Sequence, residues 1–328
     1  MKSGSSLRDA VGRFVLSYGL LMGALAVECI VFELIARKQG LPPFLSDTTL
    51  MLVLKRSAVY GVMCVGMTFV IISGGIDLSV GSMLAFGGVV CAKAVQVGGL
   101  DAGWGWISAG YVVALMAGAA AGLFAGTLIT WFRIPPFIAT LALMSSLRGL
   151  GYIMADGKPV APLPKAYQVL GRGHAASIVP ISVVVMLAVV AAGAVLLNHT
   201  RFGRHVRAIG GNEESARLSG VNVNGVKLRV YAMCSTLAVV SGLVLSSTLG
   251  SGSPKVGLGD ELQVIAAVVV GGTSLSGGRG SIGGTFLGLL IVSVLNSGLN
   301  WIGVETFGQQ VILGAVILCA VLLDRIKG

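Results

Sequence analysis

The chain has 328 residues, of which 55% are hydrophobic and only 11% are charged, and its mean hydropathy is +0.91. A soluble domain needs far more polar surface, so this composition excludes an ordinary soluble protein and predicts a membrane protein. The formal net charge is +10. The basic residues are scattered over short connectors and do not form one face, which argues against a nucleic-acid partner.

Ten hydrophobic segments follow one another, and most are long enough to span a bilayer. They lie at 14–36, 50–72, 78–97, 106–131, 134–154, 177–198, 228–250, 261–273, 281–298 and 306–323. The eighth segment is short for a span, so we expect a broken or tilted helix there. The predicted fold class is an all-α membrane protein with about ten transmembrane helices, in a single domain covering residues 1–328.

Lysine and arginine are distributed unevenly between the two sides that these segments define. With the N-terminus inside, the inner side carries thirteen: Lys2, Arg8, Arg13, Arg133, Arg201, Arg204, Arg207, Arg217, Lys227, Arg229, Arg279, Arg325 and Lys327. The outer side carries six: Arg37, Lys38, Lys158, Lys165, Arg172 and Lys255. The positive-inside rule therefore predicts that both termini and the connector 199–227 are cytoplasmic.

Two acidic residues, Glu28 and Glu33, lie within the first segment. A charge at the bilayer centre costs about 2.5–3.5 kcal/mol on insertion scales, so such a group is expected to face protein or water. Snorkelling explains Glu33, which is close to the end of the segment. Glu28 lies deeper. It either bonds a neighbouring helix, which we favour, or holds a coupling ion.

Two glycine ladders predict close helix contacts. Gly118, Gly122 and Gly126 repeat every four residues in the fourth segment, and Gly280, Gly284 and Gly288 do so in the ninth. Each is a doubled GxxxG pattern, which lets helix backbones approach closely. The pattern fits fixed packing and a sliding surface equally well.

Glycine pairs interrupt the apolar pattern in two places. Gly74 and Gly75 are expected to break the second helix, and Asp77 and Ser79 to cap the next one. A similar run, GGTSLSGG, recurs at 271–278. Broken helices in transporters often flank the pathway, whereas an ordinary capped turn explains the same residues. Both interpretations stay open.

No catalytic constellation is present in the sequence. The three histidines have no metal-site spacing, the five cysteines lie in apolar stretches, and no GxxxxGK[ST] motif occurs. We therefore expect a chain that is not an enzyme and binds no cofactor itself. If ATP drives it, ATP and Mg²⁺ must bind a partner ATPase.

The connector 199–227 contains the signals of a short helix. Asn212 is a suitable N-cap, Glu213 and Glu214 occupy the first turn, and Gly220 is suited to the left-handed end. The predicted helix, 213–219, is too short to be stable alone and is expected to dock against something. Its expected contact consists of an apolar pair, a charged rim, a sharp entry and a basic residue upstream. The apolar pair is Ala216 and Leu218, and the charged rim is Glu213, Glu214 and Arg217. The entry is at Gly210 and Gly211, and the upstream basic residue is Arg204.

Four blocks of this sequence resemble the permease subunits of bacterial ABC importers for sugars of the ribose, xylose, arabinose and galactofuranose type. The blocks are VGMTFVIISGGIDLSVGS (65–82), LRGLGYIMADGKPV (147–160), TRFGRHVRAIGGNEESARLSGV (200–221) and VVVGGTSLSGGRGSIGGTFLG (268–288). The resemblance covers about residues 50–325 and is weaker in the first fifty.

The resemblance implies ten helices in the type II arrangement, which the vitamin B12 permeases share. It also implies a second permease copy or close paralogue, an ABC ATPase bound at 199–227, a periplasmic sugar-binding protein and a lipid-embedded location in the bacterial inner membrane. The residues proposed to line or gate the path are Gly74, Gly75, Asp77, Leu78, Ser79, Gly81, Arg148, Gly271, Gly272 and Ser274.

Two other functions remain possible at this stage. One is an ion-coupled secondary transporter that uses Glu28 and Asp77. The other is an ABC permease whose cargo is a branched amino acid or a nucleoside. Which sugar is carried, and whether the permease dimer contains one or two kinds of chain, does not follow from the sequence.

Overall fold

The computed structural model describes residues 7–175 and 179–327, and Lys2 lies outside them. The described part is almost entirely helical, and each of the ten predicted segments coincides with one of its longer helices. In chain order the helices are α1 (Leu7–Lys38), α2 (Asp47–Ile72), α3 (Val80–Gln96), α4 (Trp104–Thr130), α5 (Pro136–Met154), α6 (Val169–Arg172), α7 (Ile181–His199), α8 (Arg201–Gly211), α9 (Glu213–Leu218), α10 (Val223–Leu249), α11 (Asp260–Val270), α12 (Ile282–Trp301) and α13 (Thr306–Lys327). A 3₁₀ turn, Lys165–Gln168, and a short hairpin of β1 (His174–Ala175) and β2 (Val179–Pro180) lie in the connector between α5 and α7.

Seven of the described helices are long and apolar enough to cross a membrane: α1, α2, α4, α5, α7, α10 and α12. The apolar helices α3 and α11 are shorter, with 17 and 11 residues. Large apolar side chains on α1, α4, α5 and α7, such as Val27, Met116 and Ile153, remain exposed. An exposed apolar belt of this kind fits a protein surrounded by lipid, so the chain is a multi-pass membrane protein.

The core forms where α10 packs against α2, α3 and α4. The first glycine ladder lies in this interface, because a Cβ at Gly122 would overlap the backbone of Tyr231 and Ala232. Gly118 and Gly126 lie against the same helix, near Val239 and Leu228. The ladder thus brings the α4 and α10 backbones together.

The second ladder is only partly helical. Gly284 and Gly288 lie on α12 and contact the backbone of Gly271 and Ala267 at the end of α11. Gly280 precedes Ser281, the N-cap of α12, so the expectation of three glycines on one helix face is wrong. The Ser281 side chain accepts from the backbone N–H of Gly284, which fixes the start of the helix after Gly280.

Glu33 has a role that the sequence did not reveal. Its carboxylate accepts hydrogen bonds from Arg37 Nε at 2.6 Å and from the backbone N–H of Leu45 at 3.0 Å. Glu33 is buried, so the expected snorkelling is wrong. Its carboxylate instead holds the turn that connects α1 to α2.

Candidate functional site

The connector 199–227 folds into two helices, of which the sequence signals predict only the second. In α8, Thr200 caps the start by accepting from the Gly203 N–H at 3.2 Å. Val206 and Ile209 are buried, and the ring of Phe202 stacks on Phe69 of α2 at 6.0 Å. The apolar residues at positions 202, 206 and 209 were the signal for this helix, and the surrounding arginines and glycines obscured it.

The helix α9 forms between the predicted cap residues. Asn212 Oδ1 accepts from the backbone N–H of Ser215 at 2.8 Å. At the other end Gly220 has φ +83°, and the Val221 N–H donates to the Ala216 carbonyl at 3.1 Å. This is a left-handed helix end, so glycine is needed at position 220. The helix is Glu213–Leu218, one residue shorter than expected.

One detail of the expected contact face is wrong. Ala216 is 5% exposed and packs into the chain, whereas Leu218 is 83% exposed, so the two do not form one apolar surface. Gly210 and Gly211, which are expected to permit a sharp entry, are the last two residues of α8 and directly precede the bend. The bend between the two helices is at Asn212, whose backbone is extended.

The charged residues of α9 are partly engaged within the chain. Glu213 accepts from Arg217 at 3.0 Å and pairs with Lys227 near the start of α10. Partial burial acts to raise the pKa of Glu213, but the hydrogen bonds and charges of Lys227 and Arg217 outweigh it and hold the pKa below its ordinary value. Glu214 and Arg204 are exposed. The α9 helix is therefore clamped to α10 while its outer side stays accessible.

The end of α8 meets both glycine-rich loops at one point. A Cβ on Gly210 would overlap the carbonyl oxygen of Ile72 and the backbone nitrogen of Gly278. The Gly278 N–H donates to that same Ile72 carbonyl at 2.9 Å. We call this contact of Ile72, Gly210 and Gly278 the glycine junction. It joins α8 directly to the loop after α2 and to the loop before α12.

The first loop, 73–79, turns back into the core. Asp77 is fully buried, and its Oδ1 accepts from the backbone N–H of Ser79 at 2.8 Å and from the Ser79 hydroxyl at 2.6 Å. The Ser79 side chain therefore does not cap α3 as expected, because its hydroxyl is bound to Asp77. Asp77 Oδ2 and the nearby Tyr231 hydroxyl are buried without a hydrogen-bond partner in the described part of the chain.

The second glycine-rich loop, 271–281, is also shaped by glycine. Gly272 has φ +86°, and the backbone N–H of Ser274 donates to the Arg279 carbonyl at 3.1 Å. Gly271 packs against the first turn of α12 at Gly284. The two loops that echo each other in the sequence are thus neighbours in space.

Helix α5 links the first loop to the segment 251–259 between α10 and α11. Thr140 Oγ1 accepts from the backbone N–H of Leu78 at 3.2 Å. Two turns further along the same helix, Arg148 donates to the carbonyls of Pro254 at 2.9 Å, Val256 and Gly257 at 3.0 Å. Arg148 therefore holds the non-helical segment 251–259 in place, and its charge faces carbonyl oxygens.

The segment 251–259 brings the start of α3 close to the start of α11. Gly81 in the first turn of α3 lies against Gly257 and Glu261, at the start of α11. The Tyr60 hydroxyl donates to Asp260 at 3.3 Å, and Tyr60 is near the midpoint of α2. Because α2 is long and apolar enough to cross a membrane, α11 begins about halfway along a candidate span.

Comparison of the sequence with known proteins assigns the chain to a family. The sequence profile of the family described as "Branched-chain amino acid transport system / permease component" matches residues 49–321. No solved structure matches the chain.

Curated relatives cover most of the sequence. The ribose import permease protein RbsC of Bacillus subtilis (strain 168) is 44% identical over 292 residues, which are 87% of each chain. RbsC of Escherichia coli (strain K12) is 42% identical over 292 residues, 87% of this chain and 88% of the relative. The xylose transport system permease protein XylH of Haemophilus influenzae is 32% identical over 342 residues, 86% and 90% of the two chains. The chain therefore belongs to the family of branched-chain amino acid transport system permease components.

Proposed function

We propose that this chain is the permease subunit of an ABC importer that carries a small neutral sugar across the bacterial inner membrane. The observation that carries the proposal is the identity of 32–44% to relatives named ribose and xylose permeases over nearly the whole chain. The partners are an ABC ATPase, which binds ATP and Mg²⁺, a periplasmic sugar-binding protein and a second permease. The ten helices span the membrane in the type II arrangement, with both termini in the cytoplasm.

The face formed by α8 and α9 is the proposed contact for the ATPase. Leu218 and Glu214 are exposed there, while Glu213 ties α9 to α10 through Lys227. Next to α9 lies a cavity of about 830 Å³, bounded by the connector between α4 and α5 and by the start of α10. A short rigid helix beside a recess is suited to docking a partner and to moving with it.

The glycine junction supports a direct route from this face to the membrane helices. Movement of α8 acts on the end of α2 and on the loop before α12 through Gly210. From the loop after α2, Thr140 and Arg148 of α5 extend the contacts to the segment 251–259. We propose that ATP binding moves these elements as a unit and changes the side from which the path is open.

The alternative function, an ion-coupled secondary transporter that uses Glu28 and Asp77, has less support. Glu28 lies on α1, which packs mainly on α12, whereas Asp77 lies beside Tyr231 of α10. Contacts between the two carboxylates are absent from the described part of the chain. A shared ion site built from both groups is therefore not favoured.

Uptake of radiolabelled ribose by the complete importer in proteoliposomes tests the cargo. We expect unlabelled ribose or xylose to compete with the labelled sugar, and leucine not to compete. Competition by leucine alone would replace the sugar with the branched amino acid that the family description names.

A further inference from the structure

The connector between α4 and α5 lies at the end of an exposed apolar stripe. On α4 the Phe124 side chain is exposed, and Trp131 follows it two helical turns later on the same face, with 63% of its surface exposed. Phe132 is 69% exposed, and Ile138 at the start of α5 is exposed as well. Aromatic side chains at the end of a lipid-facing stripe are typical of the level where lipid headgroups lie.

The next residue, Arg133, adopts a backbone conformation that its residue type disfavours. Its φ is +55°, and the backbone N–H of Ile134 donates back to the Leu128 carbonyl at 3.1 Å, which closes the end of α4. Among the described residues, φ is positive at twelve glycines and at one other residue, Asp156, a type that tolerates this conformation. Glycine at position 133 would form the same helix end with less strain. The arginine side chain is therefore present at a cost to the local backbone.

The guanidinium of Arg133 has no contact within the described part of the chain that offsets this strain. The residue is exposed, and its side chain forms neither an ion pair nor a hydrogen bond there. Arg133 borders the recess beside α9 together with two other cations, Arg217 and Lys227, which both pair with Glu213. The second acid at the recess, Glu214, is not bonded to Arg133. Arg133 thus presents an unpaired guanidinium directly after two exposed aromatic rings.

We call Trp131, Phe132 and Arg133 the α4 end patch, and its chemistry defines the occupant. A guanidinium binds two oxygens of a phosphate or carboxylate at once, and the rings favour an apolar body beside that polar end. A soluble phosphate leaves the rings unoccupied, and an acidic protein segment does not use the apolar stripe that runs into the patch. We propose that the α4 end patch binds the phosphate of an anionic phospholipid whose acyl chains lie along α4.

The net charge of the lipid matters because a zwitterionic headgroup carries its own cation next to the phosphate. An anionic headgroup leaves the phosphate available to Arg133 and adds attraction to the basic surface. The inference goes beyond the proposed function and does not depend on the cargo. Trp131 and Arg133 also line the recess with Asn224 and Lys227 of α10. A bound headgroup therefore lies at the border between the membrane and the face proposed for the ATPase.

Quenching of Trp131 fluorescence by brominated lipids tests the site. The chain has four tryptophans, and the variant Trp104→Phe, Trp106→Phe, Trp301→Phe keeps one of them as the reporter. This single-tryptophan protein is reconstituted in phosphatidylcholine vesicles that contain a small fraction of dibrominated phosphatidylglycerol or the same fraction of dibrominated phosphatidylcholine. We expect phosphatidylglycerol to associate about fivefold more strongly, the ratio that about 1 kcal/mol per basic residue gives.

Variants at position 133 separate binding from folding. We expect Arg133→Gln and Arg133→Gly to bring the ratio to about one, and the glycine variant not to lower the apparent Tm, because it relieves the backbone strain. Arg133→Lys keeps the charge without the planar fork, so a smaller preference is expected to remain. The control is Arg201→Gln, which removes an exposed arginine at the start of α8 and is expected to keep the fivefold ratio.

Four results would overturn the assignment. The first is a ratio near one in the single-tryptophan protein itself. The second is a preference that survives in Arg133→Gln or is lost equally in Arg201→Gln, because general surface charge would then explain it. The third is loss of the preference on adding inorganic phosphate at constant ionic strength, which would identify a soluble anion as the ligand. The fourth is weaker binding of the partner ATPase to Arg133→Gln with an unchanged lipid ratio, which would assign the patch to that protein contact.

Discussion

Replacing Gly210 by alanine adds one methyl group at the glycine junction. The new Cβ would overlap the Ile72 carbonyl oxygen and the Gly278 nitrogen, both of which are backbone atoms. Backbone cannot swing aside like the end of a flexible side chain. The substitution therefore has to move either α8 or the backbone that it contacts, at the end of α2 and in the second loop.

Two free-energy costs set the expected loss of stability in Gly210→Ala. Overpacking a close contact costs about 1–3 kcal/mol. Breaking the hydrogen bond from Gly278 to Ile72, if α8 does not move, leaves a buried group unpaired at about 1–3 kcal/mol. We expect Gly210→Ala to lower the apparent Tm in detergent by several degrees and to reduce sugar uptake per ATP hydrolysed.

The neighbouring residue supplies the matched control. A Cβ at Gly211 would meet nothing within 4 Å, and this glycine is also the end of α8. Gly211→Ala is expected to keep the Tm and the coupling ratio of the parent protein. Equal coupling in Gly210→Ala and Gly211→Ala would refute the reasoning that the junction transmits movement.

Three further predictions concern other contacts. Gly122→Leu forces a side chain into the α4–α10 interface and is expected to destabilise the protein by at least about 1–3 kcal/mol. Gly105→Leu places the same side chain in open space and serves as the control. Equal apparent Tm values of the two variants in detergent would contradict this prediction. Arg148→Gln leaves the carbonyls of Pro254 and Gly257 without their donor, at a cost of about 1–3 kcal/mol each, and Arg148→Lys is expected to restore only part of the lost stability. An unchanged melting curve would count against the role of Arg148 in holding the segment 251–259. Because the pKa of Glu213 is held below its ordinary value of 4.5, its ion pairs stabilise α9 above that pH and are lost as the pH falls through the lower folded-state value. The protection factors of the α9 amides, which correct for the intrinsic pH dependence of exchange, are therefore expected to fall on acidification in the parent protein and to change little with pH in Glu213→Gln, and identical protection profiles would exclude the effect.

Local signals in the sequence predicted local structure well. The cap at Asn212, the acids after it and the left-handed end at Gly220 are fixed by residues within one short stretch, so α9 was found nearly to the residue. The ten helices also follow from hydrophobic runs, which need no knowledge of their neighbours.

Contacts between distant residues were beyond the same reasoning. Ala216 is buried and Glu33 is bonded to Leu45 only because other segments pack against them. The α8 helix was missed because its three apolar residues are separated by arginines and glycines. Tyr60 and Asn296 line one cavity, although they are far apart in sequence and lie in separate apolar runs. Only packing of the helices brings these side chains together.

The most direct test of the account is the energy source for uptake. The permease is reconstituted with its ATPase and sugar-binding protein, and uptake of labelled ribose is measured with ATP on the α8–α9 side, with and without an uncoupler. The account predicts uptake that requires ATP and persists in the uncoupler. Uptake that stops with the uncoupler and continues without ATP would contradict it and would favour an ion-coupled transporter.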